Sequence, residues 1–135
     1  QFRGMRLHGH RESGEGEGTY IALADWLIHQ AKTDLEASVE AHTRKVGLKV
    51  RRVSVKDQSS RWGSCSTSGV VSFSWRLILA PPAILDYVAA HEVAHLAEMN
   101  HGPRFWALVK RIYPGLDDAR RWLHIYGMDL HRYGT

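Results

Sequence analysis

Three histidines and a glutamate close together in the chain, His91, Glu92, His95 and His101, are the side chains best placed to do chemistry. The run His-Glu-Val-Ala-His at 91–95 matches the H-E-x-x-H pattern, in which histidines four apart lie one turn apart on the same helix face. Both imidazoles can then reach one ion. Glu92 projects beside them, near enough to take a proton from a metal-activated water without itself being a ligand. A zinc ion (Zn2+) lowers the pKa of such a water to about 7 and the carboxylate completes the deprotonation, which is the division of labour hydrolysis needs. Two histidines and a glutamate also occur on solvent-facing helices that bind no metal. Here the flanking residues are apolar nearly all round, and burying these three groups costs several kcal/mol unless each finds a partner. A metal supplies that partner; a satisfied core cluster is the alternative. His101, just past a break at Asn100, is the natural third ligand. Three histidines leave the fourth tetrahedral position open, as in catalytic rather than closed structural zinc sites.

Other reactive or polar residues carry weaker signals. Arg61 or Arg76 could orient a substrate carboxylate or phosphate through a bidentate fork. Trp62 and Trp75 fit strand-face packing better than substrate platforms. Cys65 fits a small buried hydrophobe better than a metal ligand. Tyr87, one turn before His91, fits core packing better than oxyanion stabilisation. His8, His10, His29, His42, His124 and His131 lack ligand-like spacing and read as surface or packing residues.

The elements that must position these groups follow from periodicity. Leu23, Leu27, Ala31, Leu35 and Val39 recur every four residues, which predicts a helix over 20–46, capped by Thr19 and closed by Gly47, lying over a sheet. Residues 48–55 alternate apolar and polar with β-branched side chains, and 60–65 and 70–79 read as two further strands joined at a glycine-containing turn, 66–69. A small, largely antiparallel sheet is the economical reading. Pro81 and Pro82 stop the last strand and start a helix to about Met99, so apolar that it must be central and buried. A second helix is predicted over 103–112 and a last one over 117–126, stopped by Gly127. No internal repeat is present.

At 135 residues and 44% hydrophobic content the chain suits one domain with an ordinary core. The glycine-rich, charged start predicts a flexible or truncated segment over 1–18, with the folded domain over 19–135; with no methionine at position 1, further N-terminal sequence is expected. No apolar run is long enough to span a membrane and no signal-peptide core is visible. Together with a single cysteine this reads as a soluble, cytoplasmic protein. The net charge of +4 allows weak nucleic-acid association, although the basic residues are scattered and read mainly as solvated faces.

Several separated motifs, in order, resemble one family. Ser60-Arg-Trp-Gly-Ser-Cys65, the stretch at 70–81 from Val70 through Ser72, Trp75 and Arg76 to Pro81, Tyr87 through His95, then Asn100-His101 and Phe105-Trp106 look like the YgjP-like metallopeptidases, over roughly residues 48–126. The resemblance implies an α+β, zincin-like fold related to SprT-type proteases, a small largely antiparallel sheet packed with helices, His91, His95 and His101 as zinc ligands and Glu92 as catalytic base. The front end departs from the family, whose members usually carry a longer β-rich N-terminal portion. In zincin-like folds the strand edge above the metal can hold an extended peptide as an added strand, and 70–75, with Ser72 and Trp75, is the segment placed for it.

Three functions compete at this stage. Peptide-bond hydrolysis of a peptide or protein substrate leads. A nucleotide or phosphoanhydride hydrolase would use the same metal with the arginines holding phosphates. A DNA-associated protease or binding module is suggested by the SprT resemblance and the basic charge.

Overall fold

The structure, a computed structural model, describes residues 14–58 and 61–131. The first helix, α1 (Gly14–Val46), buries Leu27, Ala31, Leu35 and Val39 along one side, the face that the four-residue spacing marks. It closes at Gly47, whose φ of +70° is one that a residue with a Cβ rarely adopts, and Leu48 N–H donates to the Thr43 carbonyl at 3.1 Å. Its start differs from the expectation: 14–18 are helical, where a loop was expected, while 9–13 lie outside the described residues. Once a helix is nucleated, each further residue gains a hydrogen bond for fixing one residue, so a long helix runs on into poor helix formers.

Three strands follow, β1 (Arg52–Lys56), β2 (Gly63–Cys65) and β3 (Val70–Ser74), in the spatial order β1-β3-β2. The β2–β3 hairpin is antiparallel, with Ser64 opposite Ser72, and turns through 66–69, where Gly69 takes a φ of +91°. β1, however, pairs with β3 in parallel, Val53 opposite Val71 and Val55 opposite Phe73. The expected largely antiparallel sheet is therefore mixed. The short link between β1 and β2 cannot return along the sheet, so it passes the end of β3, leaving β1 antiparallel to β2 and hence parallel to β3. β3 is consequently the central strand, and Val71, Ser72, Phe73 and Ser74 are all buried.

The strand read as continuing to residue 79 stops at Ser74, and a 3-10 helix, Trp75–Leu79, takes over. Ser74 caps it by accepting from Arg76 N–H at 3.2 Å. Arg76, 1% exposed, then donates to Asp57 Oδ1 at 2.7 Å and to the Gln58 carbonyl at 2.8 Å, and Trp75 Nε1 donates to the same Asp57 oxygen at 3.2 Å. This polar knot ties the chain after β1 to the end of β3.

Helix α2 (Pro82–Ala94) begins with proline where an N–H would lack a partner anyway, and buries nine of its residues. It touches α1, β2, the 3-10 helix and both later helices, α3 (Pro103–Ile112) and α4 (Leu116–His131). His42 on α1, buried, pairs with Asp86 on α2 at 2.8 Å, and Ser38 donates to the same carboxylate. The His42 bond holds the Asp86 carboxyl below its ordinary range against the opposing effect of burial. α2 is shorter than its sequence suggests. It ends at Ala94, and His95, Leu96 and Ala97 bond three residues back instead of four, a tightened last turn. α3 spans the expected residues and buries Phe105, Val109 and Ile112. α4 runs past Gly127, which does not stop it: a Cβ there would lie 3.3 Å from the Trp62 indole nitrogen, so this glycine serves close packing. Among the described residues no helix is long and apolar enough to cross a membrane.

Because Arg76 is built into the core, Arg76→Ala is expected to lower unfolding stability by about 2–3 kcal/mol in a urea titration while metal bound per folded chain stays unchanged. Unchanged stability with altered peptide binding would instead place this guanidinium at a substrate site.

Candidate metal centre

The end of α2 and the turn after it bring three imidazoles to one place. His91, on the last turn of α2, is partly exposed; His95, the C-cap residue, is buried; His101, before α3, is exposed. One ring nitrogen from each falls within 4.8 Å of the others. Phe105 forms the floor: its ring stacks on His95 at a centroid distance of 4.3 Å and meets His91 and His101 edge-on at 5.0 and 4.8 Å. Trp106 stacks on His101 at 5.8 Å, and Arg120 of α4 lies over the Trp106 ring at 4.3 Å.

Hydrogen bonds decide which nitrogens face inward. His95 Nδ1 lies 3.0 Å from the Glu98 carbonyl, which can only accept, so Nδ1 carries the proton and Nε2 keeps its lone pair. His91 Nδ1 sits 3.0 Å from Glu92 Oε2 and donates to it in the same way. His95 Nε2 and His101 Nε2 face each other at 3.0 Å. Two such nitrogens need a shared proton or a shared cation between them. Partial desolvation of its ring, with the two neighbouring imidazoles adding to it and the Glu92 charge opposing, pushes the His101 pKa below the ordinary histidine value, which favours the neutral form that ligates. Nitrogens bonded at ~2.0–2.1 Å to one tetrahedral ion stand about 3.3–3.4 Å apart, close to the His95–His101 separation. The donor set fits a divalent ion of the zinc type.

Glu92 completes the site. It is buried, with one carboxylate oxygen on His91 and the other, Oε1, without a hydrogen-bond partner among the described residues. Gly63 of β2 comes so near that a Cβ there would stand 3.0 Å from Glu92 Cγ and 3.1 Å from the Ser72 carbonyl. Sequence reading passed over this glycine, although a glycine inside a strand pattern is itself a sign of close backbone approach. A hollow of ≈ 250 Å3 opens over the histidines, walled by Arg61, Ser64, Cys65 and Met99.

Of the four residues expected to hold substrate, only Arg61 borders this hollow. Ser72 lies in the central strand with both neighbours paired, and Trp75 and Arg76 are buried beside Asp57. The segment 70–75 therefore offers no free edge; the free edge nearest the histidines belongs to β2. Burial holds the Tyr87 hydroxyl up at about 12, a neutral phenol beside His91, and burial together with the Glu92 charge raises the Cys65 thiol to about 11.

A family model described as YgjP-like, metallopeptidase domain, matches residues 3–126. The chain belongs to this family. No curated protein matches the sequence. Among solved structures, the crystal structure of the metallopeptidase zymogen of Pyrococcus abyssi abylysin is similar, with a TM-score of 0.62 and 20% identity over 75% of this chain and 99% of that one. At that identity the likeness is one of fold: a mixed α/β arrangement of helices around a small sheet. Membership in the YgjP-like family makes the chain a metallopeptidase domain and implies a metal, for which the three-histidine cluster is the ligand set that fits.

Elemental analysis of protein purified without added metal is expected to find about one divalent ion per chain, and much less in His101→Ala. Full retention in that variant would remove His101 from the ligand set. In metal-free protein, Cys65 is expected to react slowly with iodoacetamide at neutral pH and to accelerate only towards pH 11, since the raised pKa keeps it a thiol. Fast alkylation at pH 7 would show that the sulfur lies in a different environment.

Proposed function

We propose that this YgjP-like domain is a zinc-dependent peptidase in which His91, His95 and His101 hold the ion and Glu92 is the general base. The observation that carries the reading is Glu92 Oε1, a buried acceptor with no partner, next to three converging imidazoles. An unpartnered buried carboxylate oxygen costs about 1–3 kcal/mol or more, and such a cost is retained where the group awaits a donor in the reaction. A zinc ion bound there would supply a water of lowered pKa and polarise the carbonyl to be cleaved.

Each of the chain's own groups then has one task. Glu92, on the wall of the hollow, accepts the proton of the attacking water and returns it to the leaving amine. The Glu98 carbonyl keeps His95 in the tautomer that presents Nε2. Gly63 leaves the carboxylate room to sit against the sheet.

β2 supplies the peptide-binding edge. Ser74 N–H bonds the Trp62 carbonyl and Ser66 N–H bonds the Val70 carbonyl, each at 2.9 Å. Alternation in an antiparallel ladder therefore turns the backbone groups of Gly63 and Cys65 away from β3, where an extended peptide can add as a strand. This supports a peptide over a phosphoanhydride substrate, as does the scarcity of cations: among the described residues Arg61 is the one arginine or lysine on the wall of the hollow.

The paired substitutions Glu92→Gln and Gly63→Ala test the mechanism. Zinc-loaded Glu92→Gln is expected to cleave a peptide panel slower by about 10²–10⁴-fold with zinc content unchanged. Gly63→Ala, which displaces the carboxylate without removing it, is expected to fall between it and wild type. Wild-type rates in Glu92→Gln would remove the base from its assigned role.

A further inference from the structure

A second hollow, of ≈ 220 Å3, shares Gly63, His91 and Glu92 with the first, and its remaining walls are Trp62, Tyr87, Val88 and Leu123. The two hollows meet at the carboxylate and the histidine between which a scissile carbonyl must lie. Their linings differ in kind. The first carries Arg61, Ser64 and the imidazoles; beyond the shared residues, the second is made of two aromatic rings and two aliphatic side chains.

Three elements hold these walls. Tyr87 and Val88 lie on α2, one turn before His91, where the nine buried positions of that helix fix their orientation. Trp62 precedes β2, its carbonyl bonded by Ser74 N–H. Leu123 comes from α4, and Gly127 of the same helix passes so close to the Trp62 indole that a Cβ would meet its nitrogen at 3.3 Å and its ring at 3.6 Å. α4 therefore both contributes a wall and seats another.

A peptide extended along β2 advances ~3.3 Å per residue, so the side chain adjoining the cleaved bond is the one that reaches a cavity starting at Glu92. An apolar side chain gains there by leaving water. A charged or amide side chain would give up its hydrogen bonds to water for a lining that is mainly ring and aliphatic surface.

We infer that Trp62, Tyr87, Val88 and Leu123 form a specificity pocket for a large apolar side chain, of the leucine or phenylalanine class, on the residue flanking the scissile bond, with α4 setting its depth. The inference rests on the peptidase reading above, and two readouts separate the pair.

The probes are alanine-based hexapeptide amides carrying Gly, Ala, Leu or Phe at each position in turn. Binding is measured by NMR on zinc-loaded Glu92→Gln, which needs no turnover. The Leu and Phe peptides are expected to bind on the order of tenfold more tightly than the Ala peptide at one position and to shift the Trp62 indole signal. Leu123→Trp in the same background should erase that advantage, and the milder Leu123→Ala should favour Phe over Leu. Equal binding of Gly and Leu peptides at every position, or an advantage untouched in both Leu123 variants, overturns the pocket. The same peptides are then offered to wild-type zinc protein. Selective binding without cleavage keeps the pocket and removes the peptidase reading; cleavage indifferent to the side chain does the reverse.

Discussion

A carboxylate kept out of water beside three converging imidazoles governs the rest of this fold. Ionised groups are expensive to bury, and among the described residues Glu92 has one hydrogen bond, from His91, to offset that cost. The carboxylate is buried up to the wall of the hollow because α2 is enclosed by α1, β2, α3 and α4, which explains why that helix is apolar on nearly every side. The backbone of β2 must also come within contact distance, and a side chain at position 63 would forbid it. Burial of one acidic group thus fixes the composition of a helix and of the strand opposite.

The imidazoles are oriented by different means. His91 belongs to a regular helix, whereas His95 sits where the hydrogen bonding tightens and the chain begins to turn. That change of pitch brings the Glu98 carbonyl under His95 Nδ1 and carries the chain round to His101. Phe105 then touches all three rings from below, and Trp106 and Arg120 extend the stack to α4. The geometry of the cluster is a product of aromatic packing as much as of helix periodicity.

How much of this could be read from the chain follows from the range of each signal. Histidines four apart on an apolar helix are a local pattern, and so is the four-residue stripe of α1; both are seen in the structure, as is α3 at its expected bounds. Pairing partners are not local. Alternation in β1 is compatible with either direction, and nothing near it announces that β3 will insert between β1 and β2 and make the sheet mixed. The 3-10 helix at Trp75–Leu79 has the apolar character of a strand, so composition misled there; Trp75 is buried as the preferred packing reading has it, while Arg76, weighed as a fork for substrate, is buried in the core. Gly127 looked like a helix stop because its role depends on Trp62, sixty-five positions away by residue number (127 − 62). Gly63 carried a usable sign, a glycine within a strand pattern, that points to a close neighbour without naming it.

The two borders of the sheet are not equivalent, and the contrast bears on which of them an extended chain could join. β1 forms one border, with Arg52 and Lys56 exposed at its ends, and charges of that kind discourage pairing with a neighbouring chain. β2 forms the other, Gly63-Ser64-Cys65, small and uncharged beside the histidines. An uncharged border strand is a template for any extended chain, a second copy of the protein included. At three residues β2 offers too short a ladder for lasting self-association, so brevity supplies the protection that charge supplies at β1. Lengthening that strand would trade restraint in self-assembly for grip on an extended chain.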